Sequence, residues 1–203
     1  DPTTSELFEF NTMKGNIVEG LQMLQDAECL CFHNGIGFDG PALFKLYGVK
    51  CNKIVDTMLM AKVLFPDIAN VDHKRENFPK KLIGSHSLKA WGLRIGVHKD
   101  EHGESEDWEN FSPEMQTYCN QDVRTTFSLY KHLLEHSVSP ESLVIEHEFA
   151  KLIRVQEMNG FPFNVKKAEE LAKKLMIKRV QIEQEMQKVF PPKVEEMKSV
   201  LGW

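Results

Sequence analysis

No apolar run in the 203 residues reaches the roughly 18 that a membrane-spanning helix needs, which argues against a membrane-spanning protein. Nor does the start of the chain read as a signal peptide, because Asp1, Glu6 and Glu9 interrupt any apolar core there. The chain is therefore expected in the cytoplasm. Cysteine is scarce: Cys29, Cys31, Cys51 and Cys119 contain no CxxC pair and no even disulfide framework. Cys29 and Cys31 alternate within a short apolar run and would share one face of a strand, so core thiols are expected rather than metal or redox centres. Positive charge is not in excess either. A formal net charge of −5 disfavours holding nucleic acid by bulk electrostatics, while leaving room for an enzyme that grips a few nucleotides through metal ions. His33, His73, His86, His98 and His102 show no metal-ligand spacing and read as surface or loop histidines. No internal repeat is present.

What is present is an ordinary globular balance, 41% hydrophobic and 27% charged, long enough for one domain plus part of another. Leu7, Phe8 and Phe10 are weakly strand-like after a turn-prone Asp1–Ser5. Asn16 can cap a helix bearing Ile17, Leu21 and Leu24. Cys29–Phe32 is apolar and too short for a helix, hence a buried strand, and it runs into the glycine-containing loop His33–Asp39. A helix through Ala42 to Tyr47 ends at Gly48. Ile54-Val55 reads as a second strand, with Asp56 or Thr57 capping a helix stopped by Pro66. Residues 67–84 read as a long mobile surface loop. Ser85 or Ser87 caps a helix in which Trp91 faces the core, closed by Gly96. A polar stretch covers 98–110. Ser112-Pro113 then starts a helix reaching about His136, with Val123, Phe127, Tyr130 and Leu134 as its core stripe. Beyond the boundary at Ser139-Pro140 only helices are expected: one with an apolar stripe of Ile145, Phe149, Leu152 and Ile153, then a long one capped by Asn164 and laid along a partner surface.

Two small constellations carry chemistry. Tyr118 and Asp122 are four apart on a helix, so a phenol and a carboxylate leave one face side by side. That spacing suits either a structural hydrogen-bonded pair or part of a site. Asn34 and Asp39 bracket the turn after a buried strand, where open α/β sheets place their ligands. They too have a plain alternative, in which Asn34 satisfies the turn and Asp39 caps the next helix.

Taken together, Asn-x3-Phe-Asp after a strand and Tyr-x3-Asp on a later helix resemble the second and third exonuclease motifs of the DnaQ-like superfamily. His33-Asn34-Gly35, Val55-Asp56-Thr57, Gly84–Leu88 and Ala90–Gly96 are similar to segments of family A DNA polymerases of short-tailed phages. Glu146-His147, Gln156-Glu157 and Asn159–Asn164 resemble the junction between exonuclease and polymerase domains in those enzymes. The resemblance implies an α/β fold with an RNase H-like mixed sheet flanked by helices. Residues 1–137 would form a 3′–5′ exonuclease domain and 138–203 the helical start of a polymerase domain. It further implies proofreading of single-stranded DNA 3′ ends with two Mg²⁺ or Mn²⁺ ions. Asp122 and Asp39 would be the metal ligands, Tyr118 would orient the attacking water, and Asn34 would shape the site. Partners would be primer–template DNA and the remainder of the polymerase chain, with no membrane, in the host cytoplasm if the protein is viral.

Lys74, Arg75, Lys80 and Lys81 could touch phosphates or simply be solvated. The same choice applies to Lys166, Lys167, Lys173, Lys174, Lys178 and Arg179 on the long helix. The family's first motif, Asp-x-Glu on a first strand, is not matched. Asp26-Ala27-Glu28 is the only such triplet before Asp39, and it falls at a helix end. The expectation is that one or two strands of the native protein, roughly 20–25 residues, are missing, and that activity is impaired without them. A free-standing ribonuclease of the superfamily and a catalytically silent DNA-binding scaffold are the alternatives.

Overall fold

The computed structural model describes residues 6–97 and 111–191. Asp1–Ser5 and the polar stretch 98–110, with His98 and His102, lie outside the described residues. The chain divides into two compact units, Asp1–Met158 and Asn159–Trp203.

In the first unit, helix α1 (Ile17–Asp26) leads to strand β1 (Leu30–Phe32), and α2 (Asp39–Tyr47) leads to β2 (Ile54–Asp56). The strands pair in parallel, Leu30 opposite Ile54 and Phe32 opposite Asp56. Parallel pairing brings the ends of both strands out on the same side, as in α/β proteins. Helices α3 (Thr57–Leu64), α4 (Ile68–Asp72), α5 (Leu88–Ile95), α6 (Pro113–Leu134) and α7 (Pro140–Asn159) complete the unit. The start signals act as read. Asp56 caps α3 through the Met58 N–H, Ser87 caps α5 through Ala90 and Ser112 caps α6 through Met115. Helices α2 and α5 end at Gly48 and Gly96, whose left-handed φ of 71° and 73° a side chain would disfavour.

The core lies where α6 packs on α3, α5 and β1. Met60, Ala61, Ile68, Trp91, Leu129 and Leu133 form its buried centre. Trp91 is a core residue, as expected. The stripe of α6 differs from the sequence reading: Thr125, Leu129 and Leu133 are buried, whereas Val123 and Leu134 are more than half exposed. Thr125 escapes an apolar count because its hydroxyl donates within the helix to the Gln121 carbonyl at 2.8 Å, which makes it acceptable inside.

Other expectations also need correction. Residues 67–84 are not simply a surface loop. They hold α4 and a 3₁₀ turn at Lys80–Leu82, with Ile68 and Asp72 buried. Asp72 meets Arg94 through two bonds, 3.0 and 2.7 Å, and accepts the Gly84 N–H at 2.9 Å. Cys29, Cys31 and Cys119 are exposed and Cys51 is half-buried, so the thiols are not core residues. The segment Glu6–Phe10 pairs with no strand among the described residues. Asn16 does not cap α1. Its side chain instead accepts the Asn11 N–H and donates to the Glu9 carbonyl, tying the leading segment down.

The second unit contains α8 (Val165–Val189), capped by Asn164 through the Lys167 N–H. None of its residues is buried; Leu171, Leu175, Ile182, Met186 and Val189 are exposed, and so are the lysines between them. Among the described residues no helix is long and apolar enough to cross a membrane.

Candidate active site at the ends of the parallel strands

The turn after β1 is built around Asn34, which holds a left-handed φ of 66°. Asparagine tolerates this region better than most residues. Next to it, a Cβ on Gly35 would come within 2.3 Å of the Phe32 side chain, so only glycine fits. Phe38 N–H donates to the Asn34 carbonyl and Gly40 N–H to the Gly35 carbonyl, which closes the turn and starts α2. Asp39 is thereby held in the first turn of that helix.

Asp39 is half-buried. Burial pushes its carboxyl above the usual range, and the charge of Asp56 adds to this. Asp122 lies on α6 in the same row as the core residues Thr125, Leu129 and Leu133, and Tyr118 lies one turn before it. The Tyr118–Asp122 row is therefore continuous with the buried stripe of Thr125, Leu129 and Leu133. The electrostatics tie Asp122 to the strand ends. Asp122 acts on His33, directly after β1, and Asp122 and Asp39 both act on the thiol of Cys119. Cys119 is exposed over part of its surface, yet desolvation of the sulfur raises its thiol first, and the two carboxylates raise it further.

His33 is not a surface histidine. It lies 2.9 Å from Thr57 Oγ1 and 2.9 Å from the His86 carbonyl, and burial holds its imidazole below the ordinary value. Asp56, whose pattern signalled only a helix cap, proves to be the centre of the turn. It is 1% exposed and binds Asn34, Ile36 and Met58 through their N–H groups. Of the basic residues, Arg75 donates to the Arg94 carbonyl at 3.2 Å, while Lys80 and Lys81 are exposed on the 3₁₀ turn. Asp26-Ala27-Glu28 lies at the end of α1, with Asp26 accepting from Gln22, and not on a strand. Cavities of about 240 and 380 Å³ are lined by Phe65, Trp91 and Arg94 and by Phe8, Phe10, Leu21 and Tyr47, and neither Asp39 nor Asp122 lines them. Among the described residues no three His, Cys, Asp or Glu side chains are grouped as a complete metal cage.

A mostly helical chain with a two-stranded parallel sheet, compatible with an α/β protein, is the class that these features define. No protein-family model matches the chain. It is 30% identical over 206 residues to the DNA-directed DNA polymerase of Escherichia phage T7, and 30% identical over the same length to that of Enterobacteria phage T3. Each alignment takes in 79% of this chain and 29% of the phage protein. The chain belongs to the phage-type DNA polymerase family and spans less than a third of the length of the relatives it matches.

Proposed function

We propose that this chain is the 3′–5′ proofreading exonuclease region of a phage-type DNA polymerase, within residues 1–137, followed by the first helices of the polymerase domain. The observation that carries the reading is the 30% identity with two phage DNA-directed DNA polymerases across a stretch that includes most of this chain, with Asp39 opening α2 after the β1 turn and Asp122 one helical turn past Tyr118 on α6. An RNase H-like sheet is the fold this function calls for, and the parallel β1–β2 pair with its flanking helices is compatible with it.

The donor chemistry suits Mg²⁺ or Mn²⁺, hard cations that keep several waters and need only one or two protein carboxylates beside substrate phosphate oxygens. Asp39, whose carboxyl burial already pushes toward protonation, gains most from a nearby cation. Asp122 and Asp39 would hold the ions. When bound, they supply activation of water and relief of charge on the departing 3′ oxygen. Tyr118, one helical turn from Asp122, would orient the attacking water through its hydroxyl. Asn34 would fix the turn that presents Asp39. Lys80 and Lys81 are free to meet a phosphate backbone, a role that Arg75 shares with its bond to Arg94. The substrate is a frayed single-stranded DNA 3′ end.

Mn²⁺ binding followed by electron paramagnetic resonance tests this. Wild-type protein should bind Mn²⁺, and Asp39→Asn and Asp122→Asn should each weaken binding about tenfold or more. If both variants bind Mn²⁺ as the wild type does, the carboxylates are not ligands and the reading fails. Degradation of 5′-labelled DNA and RNA oligonucleotides then separates a proofreading nuclease from a ribonuclease, and binding without cleavage marks a scaffold.

A further inference from the structure

We propose that Asp56 is a positioning residue for the turn that carries Asp39, and that His147 on α7 fixes Asp56 in turn. The first link is a single buried carboxylate serving three backbone donors. Asp56 Oδ1 accepts from Asn34 N–H at 2.9 Å and from Met58 N–H at 3.0 Å, and Oδ2 accepts from Ile36 N–H at 3.3 Å. Capping α3 needs only the Met58 bond, which a serine hydroxyl would supply as well. The other two bonds reach across to the turn after β1: the Asn34 bond shares Oδ1 with the cap, and the Ile36 bond needs the second oxygen that only a carboxylate or amide supplies. The residues they hold are the ones that hold Asp39. The Asn34 carbonyl accepts from Phe38, and the Gly35 carbonyl, between the two anchored amides, accepts from Gly40. Asp39 lies between those two donors in sequence, so the setting of Asp56 is carried to Asp39 through backbone alone.

The second link fixes Asp56 itself. Its own N–H donates to His147 Nε2 at 2.9 Å, while His147 Nδ1 lies 2.7 Å from the Leu143 carbonyl. A backbone N–H only donates and a carbonyl only accepts, so Nε2 is bare and Nδ1 carries the proton. The imidazole is therefore the neutral Nδ1–H tautomer, bridging α7 to the end of β2. The importance given to Asp39 rests on the exonuclease reading; the hydrogen-bonded chain from α7 to the turn does not.

The test uses the full chain, isotopically labelled, with three readouts. Imidazole ¹⁵N shifts of His147 should report the Nδ1–H tautomer, and the Nε2–H tautomer would overturn the proposal. Asp56→Ser keeps a cap for α3 and removes the second oxygen that holds the turn. Amide exchange should rise about tenfold at Ile36 while Met58 stays protected, and Ile36 exchange equal in variant and wild type would overturn it. His147→Leu should raise exchange at Asp56 about tenfold, and His147→Gln, which retains an acceptor, should restore most of the protection. Failure of His147→Gln to differ from His147→Leu would show packing alone at work, against the proposal. Mn²⁺ affinity separates this result from the functional reading. Weakening in Asp56→Ser, which leaves Asp39 and Asp122 intact, supports positioning, and unchanged affinity refutes it. If even the wild type binds no Mn²⁺, the exonuclease reading falls and the exchange pattern alone decides the link.

Discussion

Replacing Asp72 with asparagine should be among the most damaging single-atom changes available in this chain. The Asp72 and Arg94 side chains are 0% and 1% exposed, and two bonds of 3.0 and 2.7 Å join them in a fork. The guanidinium is flanked by the rings of Trp91 at 4.8 Å and Phe78 at 5.4 Å, which solvate it poorly. Asp72→Asn keeps the shape and leaves a buried cation without its counter-charge. Loss of one partner from such a pair costs about 3–5 kcal/mol, a large share of the roughly 5–15 kcal/mol that holds a domain together. Urea unfolding followed by circular dichroism measures this directly, provided the slope of the transition is unchanged. The double variant Asp72→Leu/Arg94→Met should recover most of the loss, because two apolar side chains leave no orphan charge. A loss below about 1 kcal/mol in Asp72→Asn would mean that water reaches the pair, and the reasoning would fail. The pair also has an acid limb. Burial pushes the Asp72 carboxyl up, but the Arg94 and Gly84 bonds and the Arg94 charge outweigh it and leave it below its usual value. Its stabilisation is thus complete above about pH 3.9, the unfolded value, and is lost as pH falls through the lower folded value.

Burial keeps the His33 imidazole neutral, so the unfolded chain takes up its proton first. Stability should fall as pH drops below about 6.5 toward the folded value, and His33→Gln should reduce that slope in urea titrations at a series of pH values. If Mg²⁺ binds at Asp39 and Asp122, it will offset the charges that raise the Cys119 thiol. Alkylation at Cys119, followed by peptide mass spectrometry, should then accelerate roughly two- to fivefold; a rate indifferent to Mg²⁺ counts against cation binding there. Ser87→Ala removes the acceptor for the Ala90 N–H at 3.3 Å and should cost about 1 kcal/mol in thermal or urea unfolding.

Local chemistry was legible in the sequence wherever a residue acts on its near neighbours. Ser87, Ser112 and Asn164 cap the helices they were read to cap, and Gly48 and Gly96 end theirs. The placement of Tyr118 and Asp122 on one helical face follows from spacing alone. What escaped reading depends on partners far along the chain. Asp72 is buried only because Arg94, 22 positions away, meets it, and without that partner residues 67–84 look like solvated polar chain. Asn16 had the right type for a cap but is engaged by Asn11 and Glu9 instead. Thr125 hid the core stripe of α6 because its hydroxyl is satisfied inside the helix. Asp56 showed its cap in sequence, but its hold on the turn after β1 appears only when the two strands are paired.

The single row from Tyr118 through Asp122 and Thr125 to Leu129 and Leu133 has a consequence for how this stretch can change over generations. Exposed side chains on the other faces of α6, such as Val123 and Leu134, can change more readily. The count of residues cannot. One codon gained or lost between Asp122 and Thr125 would turn the acidic half by about 100° against the anchored half, leaving a helix of normal appearance with its carboxylate aimed elsewhere. In natural variants of this chain, that interval should tolerate substitution and reject every insertion or deletion.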